Sequence, residues 1–298
     1  MKTNGEYREA YLEYLRRMLG YSPNTVASYG RDLKKLTDFL DSRHLSLEDF
    51  APEDARSYTA SLMARKLSPA SVNRILSSTR GFFHYLCIQK VAQDNPFARI
   101  KGAGRYRRLP SVLSRDEVQR ILDTPYDDFN SLLAVTIFNL LYSTGCRLSE
   151  MTGMNMSDLD LDGGRILVTG KGSKQRYVFL TPRAKEILTE YLKWKENLPA
   201  ADGQALLTNK SGKRLSSSFV HSIFNRYKTV LGITRKFSPH VFRHSFATHM
   251  LDNDSGIRVV QEMLGHSSIS TTQVYTHLTG ERLRRVYQQA FPHERKKE

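Results

Sequence analysis

LLAVTIFNLLYSTGCRLSE (132–150) is the stretch whose reading decides the fold. Residues 132–142 are apolar nearly all round, the pattern of a buried helix rather than a surface one. Gly145 then allows a tight turn, and Arg147 opens the next element. Glu150 stands three residues on, so it shares a helical face with Arg147. Taken alone, that pair reads as a surface ion pair.

Outward from this helix, the flanks read as mainly α. Residues 6–100 form four short helices with short connections. Leu12, Leu15 and Leu19 fall on one face of the first. In SPNT (22–25), Ser22 is the N-cap and Pro23 the first helical residue. Val26, Tyr29, Leu33, Leu36 and Leu40 follow at spacings of three and four, an amphipathic helix. APED (51–54) and LSPAS (67–71) repeat the start signal. They open helices carrying Ala55, Tyr58 and Leu62, then Val72, Ile75, Phe82, Phe83 and Leu86. DNPFARI (94–100) is expected to end the last one. KGAGRYRR (101–108) holds two glycines and four basic residues. It reads either as a solvated linker or as a linker that also lies along phosphates.

On the other side, SRDE (114–117) is a helix start near the beginning of a second domain. RILVTGKGSKQRYVFL (165–180) alternates at Ile166 and Val168, turns at Gly-Lys-Gly-Ser, and alternates again at Val178 and Leu180. That predicts a β-hairpin with a longer loop. Helices return from 182 to the end, and the charged PHERKKE (292–298) is expected to fray. The predicted division is residues 1–101, a basic linker over 102–111, and a larger domain over 112–298.

Composition narrows the function. The chain has 298 residues, with 45 Lys+Arg against 30 Asp+Glu and a formal net charge of +15. Hydrophobic residues make up 40%, which argues against a largely disordered tail protein. A folded chain this basic most often meets a polyanion. Ribosomal, nuclease, recombinase and membrane-surface proteins all fit that statement. Cys87 and Cys146 are the only cysteines, too few for a Cys-rich zinc module or a secreted disulfide scaffold. The start has no apolar run of signal-peptide length, and no stretch approaches the length of a membrane span. A reducing, cytoplasmic setting and no membrane partner are expected.

Three familiar site patterns fail. SDLDLDGG (157–164) begins like a calcium loop, but the position of its bidentate acid is Thr169. Lys171 of GKGS (170–173) would need a glycine at 165 to form a phosphate loop, and that residue is Arg165. His240 and His244 lie one helical turn apart, yet HVFRH has no Glu between them as a zinc protease requires. No metal and no cofactor is expected. A DNA-acting enzyme without a metal must offset phosphate charge with Arg, Lys and His, and attack with a side chain.

Two further segments place such residues at element ends. In FSPHVFRHSFATHML (237–251), Ser238 is the expected N-cap, Pro239 the first helical residue and His240 the second. Arg243 projects from the same face, near a helix N-terminus that suits phosphate. His244 and His249 read as packing residues. In LGHSSISTTQVYTH (264–277), Gly265 ends the helix IRVVQEML and His266 sits in the loop. Ser270 with Gln273 makes a capping-box pattern, so a short helix carries Tyr275. A lone Tyr among fifteen would be core or interface; Tyr275 stands out by its neighbours.

These residues resemble the tyrosine recombinases, and within them the Xer-type site-specific recombinases. That family's pattern is an Arg, a Lys in a hairpin turn, His-x-x-Arg, a His in a Gly-His loop, and a Tyr nine residues on. Arg147, Lys171, His240, Arg243, His266 and Tyr275 match it in order. SPNTVASYGRDLKKLTDFL (22–40) and SPASVNRILSSTRGFFHYL (68–86) look like the family's N-terminal DNA-clamping domain, and GERLRRVYQQA (280–290) looks like a D-type ending. Cys146 stands where the family usually has Leu, Phe179 where Pro is common, and SGIRVV (255–260) varies the run before the Gly-His loop.

The resemblance implies a four-helix SAM-like core-binding domain and a mostly α catalytic domain with a small β-hairpin or sheet. It implies a site-specific recombinase in which Tyr275 attacks a phosphodiester to give a 3′-phosphotyrosyl link and later a Holliday junction. His240 would be the base, Lys171 the acid, Arg147, Arg243 and His266 the phosphate ligands, and Glu150 would orient the site. The implied partners are a double-stranded DNA recombination site and a tetramer, of this chain alone or with a related recombinase. A DNA translocase is a candidate activator. The C-terminal helix around Leu283, Val286 and Tyr287 would dock on a neighbouring protomer or pack on its own domain. Because the chain opens on the clamp domain, the expected role is chromosome-dimer resolution; the alternative is the integrase of a phage or mobile element. A type IB topoisomerase or a non-catalytic DNA-binding regulator are more distant readings.

Overall fold

The computed structural model describes residues 2–65, 67–104, 112–252, 257–265 and 287, with the backbone alone for Lys171, Ile257 and Arg258. The chain divides into two compact units, Met1–Arg108 and Leu109–Glu298.

The first unit is built from four helices: α1 (Asn4–Arg17), α2 (Pro23–Asp41), α3 (Pro52–Ala64) and α4 (Pro69–Ile88). Proline stands at the start of three of them, where its missing N–H costs nothing. The Ser22 and Ser68 hydroxyls accept from the N–H groups of Thr25 and Ser71, as the start signals predict. Leu33, Leu36, Leu40, Tyr58, Leu62, Ile75, Phe82, Phe83 and Leu86 all reach the core.

Two expectations fail here, each for a local reason. α1 ends at Arg17, because Gly20 takes a left-handed φ of 61° and the Tyr21 N–H turns back to the Leu15 carbonyl at 3.0 Å. Leu19 therefore lies outside the helix and is 48% exposed, while Tyr11 takes a core place beside Leu12 and Leu15. DNPFARI does not end α4, which stops at Ile88. The segment folds back instead. Arg80 donates to the carbonyls of Phe97 and Ile100 at 3.2 and 3.0 Å, and Phe97 is fully buried against Phe50, Tyr58 and Phe83. Burying a Phe this fully contributes about 1.5–3 kcal/mol, enough to hold an irregular segment once its carbonyls have partners.

The second unit surrounds α6 (Phe129–Thr144), in which every side chain from Leu132 to Thr144 is buried. Its polar members cause no penalty: Thr136, Asn139 and Thr144 each donate to the carbonyl four residues back, at 2.8, 2.9 and 2.6 Å. α5 (Arg115–Leu122), α8 (Pro182–Lys195), α9 (Ser217–Val230) and α10 (Pro239–Asp252) enclose it, with the shorter α7 (Leu148–Gly153) and α11 (Ile257–Leu264) beside the sheet. α5 opens with the reciprocal Ser114–Glu117 capping box.

The expected hairpin is a three-stranded antiparallel sheet in the order β1 (Leu159–Asp160), β2 (Arg165–Thr169), β3 (Gln175–Phe179). Ile166 pairs with Val178 and Val168 with Arg176. Ile166, Val168 and Val178 are buried, and by strand alternation Arg176 shares Val178's face. The extra strand arises in the acidic segment. There Asp160 accepts from the Gly163 N–H at 2.8 Å and from Arg165 Nε at 2.7 Å, so its carboxylate closes the turn into β2. Among the described residues, no helix is long and apolar enough to cross a membrane.

Candidate active site

Gly145 ends α6 in the left-handed conformation, φ 57°, with its N–H on the Leu141 carbonyl at 3.0 Å. No side chain could replace its hydrogen, because an added Cβ would lie 2.3 Å from the Phe246 ring. The sharp exit makes Arg147 the N-cap residue of α7. Glu150 then sits one turn in, as the spacing predicts. Its Oε2 accepts from the Arg147 N–H at 2.8 Å and its Oε1 from Arg147 Nη1 at 2.9 Å. This is no surface ion pair: the Glu150 side chain is 2% exposed, whereas that of Arg147 is 38% exposed.

A second arginine, which the sequence reading did not single out, holds the same carboxylate. Arg176 of β3 places Nη1 3.0 Å from Glu150 Oε1 and Nη2 2.8 Å from Oε2, a two-pronged pair. Burial alone would raise the Glu150 pKa. The Arg176 hydrogen bonds, then the Arg147 N–H, overcome that and hold the carboxyl down at about 2. A signal for Arg176 does exist in the sequence. It has the parity of Val178 in a strand whose alternate residues face inward, and an inward arginine requires a buried acid.

Arg243 comes from the first turns of α10 and is buried, 8% exposed. Its Nη1 donates to the Gly145 carbonyl and its Nη2 to the Leu264 carbonyl, both at 2.7 Å. Burial first, and then the charge of Arg147, lower its pKa to about 10, so it stays cationic at neutral pH. Ser238 precedes α10 as expected, with its carbonyl accepting from Val241 and Phe242. Its buried hydroxyl, however, makes no hydrogen bond among the described residues. His240 is exposed in the first turn. Partial burial, then the charge of Lys236 and lesser contributions from His244 and Arg243, hold its imidazole below the ordinary 6.5, which favours the neutral ring at pH 7. His249 packs inside, with Nδ1 2.9 Å from the Tyr142 hydroxyl. Burial pushes the Cys146 thiol up to about 11, so it stays protonated.

The arginines meet at the end of α11. Three successive carbonyls there each accept from a different guanidinium: Met263 from Arg176 Nε at 2.7 Å, Leu264 from Arg243 at 2.7 Å, and Gly265 from Arg147 Nη2 at 3.2 Å. Cations at a helix C-terminus complement its unpaired carbonyls and partial negative charge. Two of these guanidiniums, Arg147 and Arg176, share the Glu150 carboxylate, while Arg243 is held by carbonyls alone, so the cluster carries excess positive charge. Among the described residues, no three His, Cys, Asp or Glu side chains are grouped to hold a metal.

Of the six sequence-predicted residues, the structure brings Arg147 and Arg243 together at α11 and sets His240 one turn from Arg243. Lys171 begins the turn of the β2–β3 hairpin, a single 3₁₀ turn over Lys171–Ser173 closed by the Gly170 N–H on the Lys174 carbonyl at 2.8 Å. His266 and Tyr275 lie outside the described residues, as do Leu283 and Val286. Tyr287 packs on its own unit: its ring lies 5.7 Å from that of Phe179 at a 40° tilt, and its hydroxyl lies 3.0 Å from both Ser143 Oγ and the Ser143 carbonyl.

The phage integrase family model matches residues 111–282, and the model of the phage integrase N-terminal SAM-like domain matches residues 9–90. The chain belongs to the phage integrase family, the tyrosine recombinases. This tyrosine recombinase is 36% identical over 304 residues to tyrosine recombinase XerC of Treponema denticola, covering 97% of this chain and 99% of that one. It is 36% identical over 289 residues to tyrosine recombinase XerD of Oceanobacillus iheyensis, covering 95% and 97%. Its fold matches the crystal structure of the XerH site-specific recombinase bound to difH substrate in a pre-cleavage complex. The TM-score is 0.66 at 26% identity, over 88% of this chain and 78% of that one.

Proposed function

We propose that this tyrosine recombinase cuts and rejoins double-stranded DNA at a specific site, through a 3′-phosphotyrosyl intermediate, in chromosome-dimer resolution of Xer type. The observation that carries this reading is the arginine cluster: three guanidiniums held at one helix end, of which two are paired with Glu150 and the third, Arg243, rests on backbone carbonyls. A DNA phosphate supplies the missing negative charge.

Tyr275 attacks the scissile phosphorus. The bond from its phenol oxygen to phosphorus forms as the bond from phosphorus to the 5′-oxygen breaks. A free phenol ionises near pH 10, so its proton passes to His240. Lys171 returns a proton to the departing 5′-oxygen. Arg147, Arg243 and His266 bind the non-bridging oxygens, where planar guanidinium forks match the developing charge. One phosphodiester is exchanged for another, so no nucleotide is consumed. A 5′-hydroxyl from a second duplex reverses the attack, and two such rounds pass through a Holliday junction. That sequence needs four protomers, of this chain alone or with a related recombinase, and a DNA translocase is a candidate activator. Residues 1–101 clamp the duplex, 102–111 form a basic linker, and 112–298 carry the chemistry. The +15 net charge supplies the backbone contacts and a strong salt dependence.

Relatives named XerC and XerD that match nearly end to end support this role over the integrase of a phage or mobile element. The test is a nicked duplex carrying the DNA sequence that the protein selects from a random pool. The wild type should yield a detergent-stable protein–DNA adduct, and Tyr275→Phe none. An adduct that persists in Tyr275→Phe, or a wild type that never forms one, overturns the reading.

A further inference from the structure

Arg176 is the one guanidinium of the cluster that no proposed step uses. It is also the least exposed of the two that grip Glu150, with its side chain 16% exposed against 38% for Arg147. Each of its three nitrogens donates, to two elements in all. Nη1 and Nη2 take both oxygens of Glu150, and Nε takes the Met263 carbonyl at 2.7 Å. Two glycines flank it. An added Cβ at Gly265 would lie 3.2 Å from Nη1 and 3.3 Å from Cζ; one at Gly170 would lie 3.1 Å from Glu150 Oε1 and 3.8 Å from Arg176 Nη1. Gly170 immediately precedes Lys171, and Gly265 immediately precedes His266. The same guanidinium thus stands between the root of the hairpin turn, the carboxylate that aims Arg147, and the end of α11.

We infer that Arg176 is a positioning residue, which braces the β2–β3 hairpin against Glu150 and α11 so that Lys171 is presented to the leaving 5′-oxygen. The inference rests on the function proposed above. The physical argument is one of stiffness. The third strand, β1, pairs only with Arg165 and Ile166, so toward its turn the hairpin is two-stranded and its strands can tilt as a pair. A side chain from β3 that makes three charge-assisted hydrogen bonds to two other elements removes that freedom. Lysine in its place is a point charge on a flexible stem; it keeps the ion pair and loses the fork and the third bond. Misplacing an acid by about 1 Å can cost on the order of 100-fold in rate.

The test compares two nicked duplexes of the selected sequence, one with the natural 5′-oxygen leaving group and one with 5′-sulfur, which departs without a proton. Single-turnover cleavage is measured for wild type, Arg176→Gln, Arg176→Lys and Lys171→Ala, with duplex affinity and thermal melting in parallel. Arg176→Gln should cleave the oxygen substrate at least tenfold more slowly than wild type and the sulfur substrate within threefold of it, with duplex Kd within threefold. Arg176→Lys should show the same selectivity at a smaller loss, and it carries the comparison if Arg176→Gln does not fold. Equal slowing on both substrates, or no slowing on oxygen, overturns the inference. Lys171→Ala reads the underlying assignment separately. Without sulfur rescue there, the acid role falls and this inference with it; rescue there but not in the Arg176 variants overturns this inference alone.

Discussion

The carbonyl of Gly145 accepts from Arg243 Nη1 at 2.7 Å, across 98 residues of sequence. Gly145 ends the most buried helix of the second unit, and Arg243 rises from the first turns of α10. The bond therefore ties the sharp exit of one helix to the cation presented by another. The same glycine lies against Phe246, one turn further along α10, with no room for a side chain.

Gly145→Ala should be costly in two ways. A left-handed φ of 57° penalises an L-residue by roughly 1–2 kcal/mol, and the contact with Phe246 adds about 1–3 kcal/mol of overpacking. Urea unfolding should show a lowered midpoint with an unchanged slope, a total loss on the order of 2–5 kcal/mol. A neutral substitution would mean that the α6–α10 contact is looser than described.

Glu150→Gln removes the carboxylate shared by Arg147 and Arg176. The folded-state pKa of about 2 lies below the ordinary 4.5, so folding favours the charged form. The stabilisation is complete above pH 4.5 and fades as the pH falls toward 2. At pH 7 the variant should be less stable by on the order of 2–3 kcal/mol. The gap between wild type and variant should narrow through that acid window. A gap independent of pH would remove the ion pairs as its cause.

His240 is held below its usual 6.5 by partial burial and then by Lys236, His244 and Arg243. In the proposed role of general base it would work neutral. The single-turnover cleavage rate should rise with pH through an apparent pKa below 6.5 and stay level above it. In His240→Gln the rate should be lower by about 10²–10⁴-fold and should lack that limb. An unchanged acid limb in the variant assigns it to another group.

Arg243→Lys keeps one positive charge and loses the fork that spans the carbonyls of Gly145 and Leu264. Cleavage should fall by about 10²–10³-fold, the range for losing a fixed donor to a developing anion. Duplex affinity should change far less, because most phosphate contacts lie elsewhere. Filter binding beside single-turnover cleavage separates the two. Parallel loss of both would make Arg243 a binding residue only.

Much of this was legible in residue order. Helix starts were marked by Ser22, Ser68 and Ser114, because a hydroxyl that satisfies an unpaired N–H acts within three residues of chain. The all-round apolar run at 132–142 announced its own burial. Leu19 misled because a face of leucines cannot announce where a helix stops; Gly20 did that. DNPFARI misled because nothing in its local order shows a fold-back: the fate of Phe97 was set by Arg80, seventeen residues earlier in α4. Ser238 had the right position for a cap, but its hydroxyl turned inward.

What the sequence determined alone is local: which segments coil, where proline and glycine interrupt them, and that Arg147, Lys171, His240, Arg243, His266 and Tyr275 follow one another in a recombinase's order. The tertiary structure decided which charges share a neighbourhood. Arg176 grips a carboxylate 26 residues away, and Arg147 reaches a carbonyl 118 residues away. The physical reason is range. Capping, helix periodicity and strand alternation act across a few residues, so they are written into spacing. The pairing of a buried acid with its cations depends on which elements pack together, and many packings are compatible with the same spacing.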